Sequence, residues 1–233
     1  MPPISRRELF GAAAAWGLFL WIRPSRLLAA ADQLIERKVP SSGESLPVIG
    51  IGTAGGSYDA VTTEAERAPV RETLRRFQEL GGKVIDTAPS YRTAEVLVGE
   101  LVDELKIRPS VFLATKVEGL AGQAGIEEVE QSFKRLRTAK IDLIAVHNLR
   151  DTTGQLATLR RYKQDGRIRY VGITTSFPRQ YPEFEQTMKA ESLDFIQVDY
   201  ALDNRTAAQR ILPLAADRGM AVMINLPFGR RRL

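Results

Sequence analysis

Short apolar runs alternate with amphipathic stretches along the chain from Leu46 onward. The runs are rich in Val and Ile, and most of them are continuous, which is typical of strands buried on both faces of a parallel sheet. This pattern predicts seven strands, over residues 48–53, 84–87, 111–117, 142–147, 170–175, 195–200 and 221–227.

The segments between these runs have the period of α-helices. In the first of them, Val70, Leu74 and Phe77 recur at helical spacing, and Gly81 with Gly82 supplies a stop signal. Stripes of the same period predict further helices around residues 98–105, 129–136, 156–162 and 211–215.

The alternation of strands and helices predicts an α/β fold, either an open doubly wound sheet or a (β/α)8 TIM barrel. Seven strands are one short of a closed barrel, and a typical barrel takes about 250 residues. The sequence therefore predicts a TIM barrel truncated after the seventh strand, unless the doubly wound alternative is correct.

The N-terminus has the composition of a targeting segment. Arg6 and Arg7 precede an uncharged run over residues 10–22, which is shorter than the roughly 20 apolar residues that span a bilayer. Small residues at 29–31 fit a cleavage site. The segment resembles a twin-arginine export signal, and the alternative is an N-terminal membrane anchor. The chain is thus divided into a twin-arginine signal peptide over 1–31, a linker over 32–45 and the barrel over 46–233.

This division predicts a periplasmic protein that meets the export machinery and touches the membrane only through its signal segment. The net charge of +5 does not indicate nucleic acid, because the basic excess lies in the first residues and in Arg230 to Arg232. A nucleic-acid-binding domain carries its basic residues on the folded body. The chain has no cysteine and one histidine, His147, which excludes disulfides, cysteine nucleophiles and His-rich metal sites.

A glycine pattern after the first strand offers an alternative to the barrel interpretation. Gly50, Gly52 and Gly55 match the spacing of a Rossmann dinucleotide fingerprint. However, the residues after Gly55 begin a helix poorly, and Pro69 precedes the helical stripe. The next strand-end acid, Asp86, also lies beyond the usual interval of about 20 residues. The glycines are better interpreted as a strand end close to another backbone or a ligand.

Three consecutive predicted strands end in polar residues, Asp86, Lys116 and His147, and Tyr91 follows the first of them. In a parallel barrel the carboxyl ends of the strands share the face where active sites lie. A tyrosine of ordinary pKa about 10 becomes more acidic beside an ammonium. Lys116 would lower the pKa of Tyr91, Asp86 would hold Lys116, and neutral His147 would donate a hydrogen bond to a carbonyl oxygen. Taken singly, each residue also fits a strand end, a cap or a solvated rim.

The stretches VIDTAPSY, LATKV and AVHN, which contain these residues, resemble the aldo/keto reductase family. The likeness extends over residues 46–233 and includes DGRIRYVGITTS and FIQVDYAL. The resemblance implies a (β/α)8 barrel that uses NADPH or NADH to reduce a small-molecule carbonyl substrate, without a metal. It implies that Tyr91 is the proton donor, that Lys116 and Asp86 tune it, and that His147 orients the carbonyl.

The same resemblance implies which residues contact the nicotinamide cofactor: Thr53, Thr174, Thr175, Gln197, Leu226 and Phe228. One departure is Asn225, which stands where the family commonly has an aromatic residue stacked on the nicotinamide. The leading hypothesis is an exported reductase of aldehydes or ketones. The alternatives are a non-catalytic barrel that binds a nucleotide or a partner, and an aldolase that uses Lys116 as a Schiff-base amine.

Overall fold

The computed structural model describes residues 34–56 and 58–229. The predicted export signal lies outside the described residues. Within them, the central sheet has seven parallel strands: β3 (Ile51–Gly52), β4 (Val84–Asp86), β5 (Phe112–Val117), β6 (Ile141–His147), β7 (Ile168–Thr175), β8 (Phe195–Asp199) and β9 (Ala221–Asn225). Two short antiparallel strands, β1 (Glu36–Lys38) and β2 (Ser45–Pro47), precede this sheet.

Helices follow the strands of the sheet: α1 (Glu64–Glu79), α2 (Ala94–Glu104), α3 (Gln123–Arg135), α4 (Thr152–Gln164), α5 (Tyr181–Ala190) and α6 (Ala207–Asp217). The strands hydrogen-bond to one another in chain order. A doubly wound sheet would reverse its order at a switch point, so that alternative is wrong. The prediction of an α/β barrel with seven parallel strands is confirmed. No helix in the described part of the chain is long and apolar enough to cross a membrane.

Apolar side chains project from both faces of the strands and pack against other elements, so the strands are buried. Every residue of β5 and β8 is buried, as are all but one residue each of β6 and β7. Residues on one face pack against the helices, where Ile144, Leu156 and Phe184 are fully buried. The other face fills the barrel interior with a separate cluster at the N-terminal ends of the strands.

The strands β1 and β2 form a hairpin that packs against this interior cluster. Val39 and Leu46 are buried there, beside Phe112 and Tyr170, whose rings stack with centroids 5.8 Å apart. The assignment of residues 32–45 to a linker is therefore wrong for the part from Glu36 onward. It failed because each hairpin strand has only three residues, too few to produce a recognisable apolar run.

Helix α1 begins earlier than the apolar stripe indicates. Thr63 accepts a hydrogen bond from the backbone of Glu66, and the Glu66 carboxylate accepts one from the Thr63 backbone, which is a capping box. Pro69 therefore lies inside the helix and not before it. The helix ends as predicted, because Gly81 takes a positive φ of 85° and Gly82 donates its N–H to Phe77.

Candidate active site

Three adjacent strands carry the predicted polar residues at their carboxyl ends. Asp86 is the last residue of β4, Lys116 is the penultimate residue of β5, and His147 is the last residue of β6. Tyr91 lies in the loop between β4 and α2, where its carbonyl accepts a hydrogen bond from the Ala94 backbone at 2.9 Å. Parallel pairing of the strands therefore places all four residues at one end of the barrel.

Lys116 is a buried ammonium held by oxygen atoms. Its Nζ lies 2.9 Å from each carboxylate oxygen of Asp86 and 2.7 Å from the carbonyl oxygen of Thr87. Burial by itself would lower the pKa of Lys116, but the charges and hydrogen bonds of Asp86 and Tyr91 outweigh it and raise that pKa above its ordinary value. The amine is therefore charged at neutral pH.

The Tyr91 phenol lies between Lys116 and His147. Nζ of Lys116 is 5.0 Å from the centroid of the Tyr91 ring, and the Tyr91 and His147 rings meet edge to face with their centroids 6.2 Å apart. Burial raises the pKa of Tyr91, and it outweighs the opposing effect of Lys116, which Asp86 partly cancels. The expected lowering of the Tyr91 pKa is wrong in its net direction, because the sequence does not show how deeply the phenol is buried.

Two of the predicted cofactor residues contact Asp86. The Gln197 side-chain nitrogen donates to a carboxylate oxygen of Asp86 at 3.0 Å. The Thr53 hydroxyl and backbone N–H both donate to the Asp86 carbonyl, at 3.1 Å and 3.0 Å. Gln197 and Thr53 therefore lie at the site, where they fix the position of Asp86, which in turn binds Lys116.

The other predicted cofactor residues are spread along the neighbouring strand ends. Thr174 is buried on β7, in register between His147 on one side and Gln197 on the other. Thr175 is engaged in the turn after β7, where its hydroxyl donates to Gln180 and accepts the Phe177 N–H. It is thus committed to contacts within the chain.

A cavity of about 420 Å³ opens beyond the ends of β7, β8 and β9. Leu226 lines it, as do Phe177, Asp199 and Tyr200. Phe228 is 73% exposed. Of the two predicted residues after β9, only Leu226 therefore lines this cavity.

Asn225 supplies a test of whether a nicotinamide fits at this edge. Its side-chain nitrogen donates to the Thr175 carbonyl at 3.3 Å, and its side-chain oxygen is buried without a hydrogen-bond partner among the described residues. A buried acceptor of this kind is costly unless a donor reaches it. The N–H₂ of a carboxamide is such a donor, so the residues present fit the nicotinamide group.

Residues with left-handed backbone follow both Tyr91 and His147. Arg92 has a φ of 49°, and Asn148 and Leu149 have φ values of 53° and 57°. Non-glycine residues in this region are strained and are concentrated at functional sites. The segments that directly follow the phenol and the imidazole are therefore held in uncommon conformations by their surroundings.

Glu118 also lies at the site, although it is not among the residues predicted from the sequence. Its carboxylate contacts Nδ1 of His147 and also accepts a hydrogen bond from the hydroxyl of Ser90. One signal was present, because residues two apart along an extended chain point to the same side. Glu118 follows Lys116 by two positions and so points towards the same end of the barrel interior.

Known proteins resemble this chain in sequence and in fold. Residues 48–230 match the model of the aldo/keto reductase family. An aldo-keto reductase of Bacillus subtilis is 31% identical over 80% of this chain and 60% of its own length. The methylglyoxal reductase YeaE of Escherichia coli is 31% identical over 84% of this chain and 69% of its own length. The chain thus spans 60% of the length of the first relative and 69% of the length of the second.

Among solved structures, an aldo-keto reductase from Klebsiella pneumoniae in complex with NADPH superposes with a TM-score of 0.71 at 26% identity, over 85% of this chain and 70% of that one. The fold and the family match therefore agree over nearly the whole described chain. The chain belongs to the aldo/keto reductase family.

Proposed function

We propose that this chain reduces a small aldehyde or ketone with NADPH or NADH. The observation that carries the proposal is the buried Lys116 ammonium, which contacts Asp86 on one side and the Tyr91 ring on the other. Such an arrangement suits proton donation to an oxygen that gains negative charge. The names of the curated relatives, which include a methylglyoxal reductase, support the same reaction class.

When bound, the nicotinamide supplies a hydride to the carbonyl carbon. The carbonyl oxygen then gains negative charge and takes the proton from the Tyr91 hydroxyl. The Lys116 ammonium stabilises the phenolate that is left, and Asp86 keeps the ammonium charged and oriented. Water returns a proton to Tyr91, so that carbonyl, hydride and proton give the alcohol. Gln197, Thr174 and Asn225 are the residues that would hold the nicotinamide.

The proposal is tested by oxidation of NADPH or NADH by the whole chain in the presence of methylglyoxal. We expect Tyr91→Phe to lower kcat by about 10²–10⁴-fold, because the phenol that donates the proton is removed. Tyr162→Phe is the matched control, since Tyr162 bonds Glu130 on the helical side of the barrel and should keep its activity. Equal rates in the wild-type chain and Tyr91→Phe would overturn the proposal.

A second candidate is a barrel that binds the nucleotide without turnover. It is favoured by Asn225, which stands where the family resemblance implies an aromatic residue that stacks on the nicotinamide. Saturable quenching of nicotinamide fluorescence without oxidation of the cofactor would support this candidate. The aldolase alternative is disfavoured, because Asp86 keeps the Lys116 amine charged whereas a Schiff base requires a neutral amine.

The resemblance of residues 1–31 to a twin-arginine signal supports a further part of the proposal, export to the periplasm. That route carries folded proteins, so a chain loaded with its cofactor in the cytoplasm would retain it. Fractionation of cells that make the whole chain tests this location.

A further inference from the structure

The Glu118 carboxylate connects two parts of the candidate active site. One of its oxygens contacts Nδ1 of His147, at the end of β6. The same oxygen accepts a hydrogen bond from Ser90, the neighbour of Tyr91. Glu118 therefore contacts the imidazole directly and reaches the loop of the proton donor through Ser90.

The backbone around Glu118 is anchored from two helices. The backbone N–H groups of Glu118 and Gly119 donate to the Glu128 carboxylate on α3, with shortest distances of 3.1 Å and 2.6 Å. The Gly119 carbonyl accepts from the Gln155 side chain on α4 at 2.8 Å. A Cβ atom at position 119 would lie 2.8 Å from a Glu128 carboxylate oxygen, so a side chain there would require the end of the Glu128 side chain to shift. Glu118 is thus held in place by contacts outside the site.

The charge state of Glu118 decides which atom carries the proton in the contact with His147. Burial by itself would raise the pKa of Glu118, but hydrogen bonds from His147 and Ser90, with the positive charge of Lys116, lower it below its ordinary value. An ionised carboxylate can only accept hydrogen bonds. The proton between the two groups therefore belongs to Nδ1 of His147.

We propose that Glu118 is a positioning residue that holds His147 as the Nδ1–H tautomer. The neutral ring then offers only a lone pair at Nε2, and the ring can donate from Nε2 only after it takes up a second proton. From the sequence, a neutral His147 is expected to donate to the carbonyl oxygen. The Glu118 contact assigns that donation to the imidazolium instead.

A consequence for substrates rests on the proposed function. A carbonyl oxygen is an acceptor, so it binds the protonated ring, whereas an alcohol hydroxyl can donate to the neutral ring. The reduction of carbonyls would then be favoured at lower pH than the oxidation of alcohols. Among the described residues, the charged or titratable groups that contact the ring are Glu118 from the loop after β5 and Tyr91 from the loop after β4, and Lys116 on β5 acts on Glu118 through its charge.

The tautomer can be measured directly, because His147 is the only histidine of the chain. In the untagged chain labelled with ¹⁵N-histidine, long-range ¹H–¹⁵N spectra report which ring nitrogen is protonated. We expect the neutral ring of the wild-type chain to be protonated at Nδ1. In Glu118→Ala it should shift towards Nε2–H, the preferred tautomer of an unconstrained neutral histidine side chain. Glu118→Gln is the matched control, since its amide oxygen still accepts from Nδ1.

A wild-type ring protonated at Nε2 would overturn the proposal, and so would an unchanged tautomer in a folded Glu118→Ala variant. The wild-type spectrum alone tests the proposal, even if the Glu118→Ala variant fails to fold. Because this readout needs no turnover, an inactive chain with an Nδ1–H ring would refute the proposed function while supporting the role of Glu118.

Kinetics supply the second readout. In the wild-type chain, kcat/KM for carbonyl reduction should fall on the order of tenfold as the pH rises and the ring loses its second proton. In Glu118→Ala this part of the pH dependence should be lost, because a neutral ring with Nε2–H can still donate. A purely structural role for Glu118 would lower activity by the same factor at every pH, which would contradict the proposal.

Discussion

The candidate site depends on Lys116, whose charged amine is shielded from water. The Lys116 side chain is 2% exposed, and its carboxylate partner Asp86 is 16% exposed. Removing one partner of a buried pair costs about 3–5 kcal/mol, because it leaves an uncompensated charge. The pair is therefore unlike the many Arg–Glu pairs on the outer helices, such as those of Arg75, which contribute little because water screens them.

Alkaline pH should reveal how much this pair contributes to the stability of the folded chain. A raised pKa of Lys116 in the folded chain contributes stability that is complete below the unfolded pKa of about 10.4 and is lost as the pH rises through the folded pKa. A raised pKa of Tyr91 acts in the same direction, since the unfolded phenol ionises first, near pH 10. The free energy of unfolding should therefore fall above pH about 10.

Urea unfolding of the wild-type chain and Tyr91→Phe between neutral pH and pH about 11 measures the contribution of the phenol. We expect a shallower decline in Tyr91→Phe, because one group with a raised pKa is gone. Parallel curves for the two chains would contradict the raised pKa of Tyr91.

At the scale of elements, the β1–β2 hairpin and the candidate site occupy opposite ends of the barrel. The hairpin buries Val39 and Leu46 against the interior cluster. The carboxylate of Glu44 then accepts hydrogen bonds from Arg169 and from the hydroxyl of Tyr170, both at 2.6 Å. Residues at this end of a barrel serve stability, whereas those at the carboxyl ends of the strands serve chemistry.

Leu46→Ala should therefore destabilise the chain without changing the site. We expect a loss of about 2–4 kcal/mol in the free energy of unfolding, because a buried side chain is replaced by a cavity. Leu80→Ala is the matched control, since Leu80 is 73% exposed and its loss should cost less than about 0.5 kcal/mol. Urea unfolding compares the two variants, and an equal cost would show that the hairpin contact contributes little.

The elements that could be predicted from the sequence are those with a long or periodic apolar signal. The strands β5 to β8 satisfy this condition, and so do helices α1 to α4 and α6. The hairpin strands and the ten-residue helix α5 were missed because they are short. The first barrel strand is shorter than predicted, with Ile49 exposed, since an apolar run does not reveal whether a neighbour covers it.

The site was predictable to the extent that topology determines it. Asp86, Lys116 and His147 end consecutive strands, so parallel pairing brings them together. The contact between Glu118 and His147 was not predictable, because it depends on how the loop after β5 is anchored by Glu128. The direction of the Tyr91 pKa shift was predicted wrongly for a related reason, since burial is a property of the folded chain.

At the scale of the whole molecule, the proposed export makes a prediction about location. Replacement of Arg6 and Arg7 by Lys preserves charge but removes the guanidinium pair that resembles the twin-arginine signal. We expect this variant to stay in the cytoplasm and the wild-type chain to reach the periplasm, as measured by fractionation. Replacement of Arg23 and Arg26 by Lys is the control and should leave export intact. Equal periplasmic amounts of wild-type and Arg6/Arg7 variant would contradict the twin-arginine route.

The hairpin also constrains the order of events while the chain is being synthesised. Glu44 and Ser42 bond side chains that lie 125 to 128 positions later in the sequence. Contacts between such distant positions form late, because a long loop must be closed first. On the ribosome, Val39 and Leu46 therefore emerge well before β7, and their apolar side chains are not fully covered until that strand arrives. The nascent chain is consequently most exposed to misassociation and to chaperone binding during this interval.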